Sequence, residues 1–150
     1  MKKIKWALCI FLVLLTLGCV KKSVDIPEEV ATKFAAPKWK ADDSGKYPAT
    51  MTAVVTLPVG LTGAAMENDE LAAFVKGECR GLGVIVKVNN QHLYFVLIQG
   101  LSEEANKITF KYYSNKTSYM HESQPTLTFL VDATYGSAEN PKILELTQLK

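Results

Sequence analysis

From Thr50 onward the chain is apolar at every second residue over several stretches, and this period of two constrains its fold more than any other feature. Met51, Ala53, Val55 and Leu57 alternate with Thr50, Thr52, Val54 and Thr56. Ile108, Phe110 and Tyr112 alternate with Lys107, Thr109, Lys111 and Tyr113; Leu127, Phe129 and Val131 alternate with Thr126, Thr128 and Leu130. Successive side chains of a strand point to opposite faces, so each pattern describes a strand with one face on a core. Residues 93–98 are apolar throughout, which fits a central strand. Residues 71–75, 83–88, 119–122 and 142–146 are further candidates. Asn89-Asn90-Gln91 reads as a hairpin turn, because Asn tolerates positive φ, and Ser114-Asn115-Lys116 as a second tip. Residues 58–69 and 134–141 are longer loops. Seven to eight short strands with regular turns predict an all-β fold, an antiparallel β-sandwich of immunoglobulin-like or jelly-roll-like type.

The strands follow a leader. Met1-Lys2-Lys3-Ile4-Lys5 is a basic head, and residues 6–18 form a 13-residue run without charge that ends at Gly18-Cys19. This is the layout of a secretory signal, and it is shorter than the ~20 apolar residues that span a bilayer. Leu15-Thr16-Leu17-Gly18-Cys19 resembles the lipobox of bacterial lipoproteins. Gly18 and Cys19 fit its two most restrictive positions, while Thr16 and Leu17 depart from the usual Leu and small residue. The resemblance implies cleavage before Cys19 and acylation of that cysteine by a diacylglyceryl group, usually with a further N-acyl chain. Each buried CH₂ is worth ~0.8 kcal/mol, so two or three chains make a firm anchor. Residues 20–36 read as a tether. Pro27 and Glu28-Glu29 suit the start of a short helix over 25–34, although one so short is marginal alone. The organisation is therefore a signal peptide at 1–18, acylated Cys19 and tether at 19–36, and one domain at 37–150.

Removing residues 1–18 leaves 132 residues, enough for one domain with its own core. The leader takes three of the 17 basic residues, leaving 14 against 15 acidic ones and a formal charge of −1. A nucleic-acid footprint needs a clustered basic face, and none is present. Of the three cysteines, Cys9 leaves with the signal and Cys19 carries lipid, so Cys79 has no partner for an intramolecular disulfide. Cys79 is expected to be buried and structural.

Several blocks carry a second resemblance. Trp39 and Tyr47 precede 49–55; Asn68-Asp69-Glu70-Leu71-Ala72-Ala73-Phe74-Val75 follows; Lys76-Gly77-Glu78-Cys79-Arg80-Gly81 is the most specific block. Later come 108–113, Leu127-Thr128-Phe129, Tyr135-Gly136-Ser137 and Pro141. Together they resemble a β-sandwich module that recurs in secreted and surface proteins of Bacteroidota-like bacteria, and the match covers about residues 38 to 147. The resemblance implies a sandwich of about 100 residues and assigns no activity. This chain departs by carrying the module alone behind a lipobox. In the block itself, Asn68 or Asp69 suits a tight turn before Leu71. Gly77, Gly81 and Gly83 suggest a bulged, closely packed stretch. Arg80 is expected to pair with Glu78 or Asp69, with a ligand-binding use of Glu78 and Arg80 as the alternative.

Catalytic signals are absent. His92 and His121 are not in metal-ligand spacing and read as exposed or edge-strand residues; Cys79 is in no paired motif. There is no nucleophile elbow and no phosphate-binding glycine loop. Asp42-Asp43, Glu67-Asp69-Glu70 and Asp132 could supply oxygens to calcium but do not match an EF-hand loop. No enzyme, cofactor or resident metal is expected. Flat aromatic rings can stack on sugars, which makes Trp39, Tyr47, Tyr113 and Tyr119 the candidate ligand-binding residues if they face outward, with Gln99 or Asn115 orienting hydroxyls. The competing reading buries these rings.

Two functions follow. One is a membrane-anchored extracytoplasmic lipoprotein whose domain is a non-catalytic binding or adhesion module for a polysaccharide or an envelope protein. The other is an accessory subunit of an envelope complex that docks through a sandwich face or an edge strand. Val20-Lys21-Lys22 lacks the acidic cluster associated with surface export in this bacterial group, which favours the periplasmic face over the cell surface.

Overall fold

The computed structural model describes residues 31–150. The signal peptide, Cys19 and the helix expected over 25–34 lie outside these residues, apart from 31–34, which are not helical. The fold is all-β. In chain order the strands are β1 (Ala49–Thr56), β2 (Glu70–Val75), β3 (Glu78–Val88), β4 (Gln91–Gly100), β5 (Lys107–Ser114), β6 (Tyr119–Ser123), β7 (Leu127–Thr128), β8 (Thr134–Tyr135), β9 (Lys142–Ile143) and β10 (Leu146–Gln148), with a single-turn helix α1 (Val59–Thr62) after β1.

The strands form one curled sheet in the order β10-β6-β5-β2-β3-β4-β1-β8, with β7 on β5 and β9 on β1. It is mixed rather than wholly antiparallel, because β8 and β9 pair parallel with β1. β3 makes the curl. Its first half pairs with β2 from Val75↔Glu78 to Ala72↔Leu82, and its second half pairs with β4 from Gly83↔Val96 to Val88↔Gln91. The sheet therefore has two wings, β1–β4 with the far half of β3, and β2–β5–β6 with the near half. Their inner faces share one core, in which Met51, Ala53 and Val55 of β1 meet Tyr94, Val96 and Ile98 of β4, Leu71, Ala73 and Val75 of β2, and Ile108, Phe110 and Tyr112 of β5.

The glycine-rich block is the joint. Ala73 pairs with Gly81 but Phe74 with Cys79, so Arg80 is the extra residue of a bulge. A Cβ on Gly81 would overlap the carbonyl oxygen of Leu97, so only glycine lets β3 pass this close to β4. Lys76 and Gly77, both at positive φ, turn β2 into β3, and Asn89 and Asn90 do the same between β3 and β4.

Three expectations change. The 127–131 alternation yields a strand only at Leu127–Thr128; Phe129 still enters the core against Gly100, but Leu130 and Val131 are exposed. Residues 142–146 divide between β9 and β10, which join opposite ends of the sheet. The tether expected to reach residue 36 is already docked at Phe34, whose N–H donates to the Ser118 carbonyl at 2.8 Å.

Candidate functional site

The proposed ligand-binding aromatics do not form an exposed strip. Tyr47 and Tyr113, expected to face outward, are 7% and 4% exposed. Tyr47 lies before β1 with the Arg80 guanidinium 3.3 Å from its ring centroid, and its hydroxyl donates to Glu78 Oε2. Tyr113, on the outer face of β5, is covered by the segment around Phe34, whose carbonyl accepts from its hydroxyl at 3.4 Å. Trp39 is half-buried and packs edge-on against Phe74 of β2, with ring centroids 5.6 Å apart. Tyr119 is half-buried in β6 opposite Ser114. Gln99 is half-buried with its amide oxygen unpartnered, and Asn115 is exposed at a hairpin tip. Trp39 and Tyr113 lie toward the outer face of the β2–β5 pair, packed by Phe74 and the Phe34 segment, while Tyr47 sits apart under Arg80.

Arg80 does pair with Glu78, Nε to Oε2 at 3.3 Å, but its more buried partner is Glu104, which sequence reasoning missed. Arg80 Nη1 is 3.1 Å from Glu104 Oε2, and both side chains are 5% exposed. Glu104 also accepts from the Leu101 N–H and the Asn106 amide. This cluster plugs one end of the curled sheet. Asp69 serves the opposite end instead, accepting from the Met66 and Asn115 N–H groups and the Tyr112 hydroxyl. Beside the plug, Lys40, Asp42, Asp43, Lys46 and Glu78 line a shallow, open groove of about 440 Å³. Its charges are largely spent on one another: Lys40 on Asp43 at 2.7 Å, Lys46 on Glu78 at 3.5 Å, and Asp42 on Ser44 and the Lys46 N–H.

Among the described residues no group of three or more His, Cys, Asp or Glu side chains could hold a metal ion. Cys79 is half-buried rather than buried; burial raises its thiol pKa, which opposes thiolate chemistry. His121, expected at an exposed or edge position, is buried on β6 between β5 and β10, tilted against Tyr112, with Nδ1 unpartnered. Burial lowers its pKa below the ordinary 6.5. The unfolded chain takes up this proton more readily, so the stability gained from neutral His121 is complete above pH 6.5 and is lost as pH falls below it. Urea unfolding across a pH series should show that loss, and His121→Phe should remove this part of it.

The feature left without a structural role is an outer face. Side chains of paired residues share a face, and the registers of β3, β4 and β1 place Leu82, Val84, Val86 and Val88 beside Leu93, Phe95 and Leu97, and these beside Thr52, Val54 and Thr56. No residue in this array is charged. Val84 is 63% and Leu97 55% exposed, with Leu82 and Val86 also open, while Val54, Thr56 and Leu93 of the same array are buried without belonging to the core cluster. The outer face of the other wing differs: Trp39 covers Phe74, the Phe34 segment covers Tyr113, and Lys111 and Glu122 pair across it at 3.4 Å. The signal for the open face was the double-sided apolar character of 93–98 and the valines of 83–88. It shows that both faces are apolar, not which of them is covered.

Against known proteins, the chain matches no family model, no curated protein and no solved structure.

Proposed function

We propose that this chain is a lipid-anchored protein of the bacterial envelope whose domain is a non-catalytic docking module, holding a protein partner on the outer face of the β1–β4–β3 wing. The observation that carries this reading is the contrast between the two outer faces. One is covered by the chain's own N-terminal segment and laced with charge; the other is an uncharged row of Val, Leu and Phe side chains. Contiguous apolar patches beyond a few hundred Å² are uncommon on monomers and mark interaction sites. A flat strand face with no exposed ring strip suits a protein surface better than a sugar. The acyl chains at Cys19 would hold the domain at the membrane, leaving the face to select the partner.

A photoreactive residue at Leu97 tests this in intact cells. One discrete adduct with an envelope protein is expected, and none from the same probe at Lys116 on the β5–β6 tip. Equal, diffuse labelling from both positions would overturn the reading.

A further inference from the structure

The strand ends on the Asp69 side of the domain gather several loops that the docking face does not use. β1 ends there at Thr56, whose hydroxyl donates to the His92 carbonyl at 3.1 Å, so the start of β4 and the β3–β4 turn lie at the same end. α1 follows β1, and Asp69 ties the loop after it to the β5–β6 tip through the Met66 and Asn115 N–H groups. β9 reaches this end too, with Lys142 and Ile143 paired to Val55 and Thr56.

Two things stand out here. Val59 on α1 is 87% exposed, and Met66 and Ile143 are also open. Val59 and Ile143 share a groove of about 370 Å³ with Leu57, Ala65 and Lys87. Around these apolar side chains are Lys33 beside Phe34, Lys87 before the β3–β4 turn, Lys116 at the β5–β6 tip and Lys142 in β9. All four lysines are exposed, and none forms an ion pair among the described residues. The acids of the same loops are fewer: Glu67 is exposed, Glu70 is half-buried, and Asp69 is spent on three hydrogen bonds.

We infer that this end of the domain sits directly on an anionic lipid surface, with Val59 and Ile143 entering the headgroup–acyl boundary and the lysines at the lipid phosphates. The inference rests on the lipid anchor proposed above and says which end of the domain that anchor brings down. Phe34 docks on Ser118 at the β5–β6 tip, so the tether joins the domain at this end. Cys19 is 34 − 19 = 15 residues upstream, a reach of at most ~50 Å. The eight residues of β1 alone set the opposite end a further ~25 Å away. Apolar side chains ringed by lysines match the chemistry of the lipid interface, since the amines stay with the phosphates while the apolar groups go deeper. The strands then stand on end, and the uncharged outer face of the β1–β4–β3 wing is turned sideways, clear of the lipid and open to a protein partner.

The test uses the full chain, purified from membranes and reconstituted in vesicles of phosphatidylethanolamine and phosphatidylglycerol with brominated acyl chains. An environment-sensitive fluorescent residue replaces Val59, or Glu103 in the exposed turn after β4 at the opposite end. Emission from position 59 should shift to the blue and be quenched severalfold more than emission from position 103. Lys87→Glu with Lys116→Glu should abolish that difference while keeping the thermal midpoint. Equal quenching at the two positions, or quenching at 59 that ignores the two charge reversals, would overturn the inference. Should the double variant fail to fold, the comparison of positions 59 and 103 decides alone. Mass spectrometry of the N-terminal peptide reads acylation of Cys19 separately: an unmodified Cys19 overturns the anchor, whereas an acylated chain with position 59 in water overturns this inference alone.

Discussion

Replacing Arg80 by alanine should lower the unfolding free energy by about 3–5 kcal/mol, the cost of stranding a buried charge. Arg80 is 4% exposed at the bulge where β3 leaves β2 for β4, clamped between the Tyr47 ring and the Glu104 carboxylate. Without it Glu104 keeps its burial and its bonds from Leu101 and Asn106 but loses its counter-charge. Replacing both partners, as in Arg80→Met with Glu104→Leu, should cost much less, because no charge is then left buried. Urea unfolding of the two variants provides the comparison, and equal losses would contradict it. Burial pushes the Glu104 carboxyl up, but the Asn106 amide, the Leu101 N–H and the Arg80 charge outweigh it and hold the group below the ordinary 4.5. Its contribution is therefore complete above pH 4.5 and is lost as pH falls through the lowered value in the folded state. Arg80→Ala should have a smaller loss over that window.

Asp69→Ala should cost about 2–4 kcal/mol, since each buried hydrogen-bonding group left unpaired costs about 1–3 kcal/mol. One carboxylate accepts the Met66 N–H at 2.8 Å, the Asn115 N–H at 2.8 Å and the Tyr112 hydroxyl at 2.5 Å. It thereby fixes the entry to β2, the β5–β6 tip and a core tyrosine together. Met66 and Asn115 can recruit water when the carboxylate is gone; Tyr112, 1% exposed, cannot. Tyr112→Phe removes only that last bond and should cost about 1 kcal/mol. A loss for Asp69→Ala no larger than for Tyr112→Phe would show that the carboxylate does not tie the three elements together.

These two residues show what was legible in the sequence. Asp69 reads correctly as a turn residue ahead of β2, because that role depends on its immediate neighbours. Its bond to Asn115 spans 46 positions and leaves no local trace. Arg80 likewise shows its partner two residues away and hides Glu104, 24 positions on. The alternation in β1 and β5 translated directly into core residues, since both strands have neighbours on each side. The same alternation at 127–131 produced only two paired residues, because periodicity says which side chains can share a face and not whether a strand lies alongside. The expected outward placement of Tyr47 and Tyr113 failed for a related reason. Tyr47 and Tyr113 present rings that fit a sugar, but in this chain Arg80 and the Phe34 segment cover them.

The open face of β1, β4 and β3 is the centre of the account, and its most direct test is the Leu97 photo-cross-link repeated in a chain carrying Val84→Lys. That substitution puts a charge on the face at a 63% exposed position, away from the core. Loss of the discrete adduct, with the thermal midpoint unchanged, is the result the account predicts. An adduct of undiminished yield would contradict it, because a partner seated on this face could not ignore a charge placed within it.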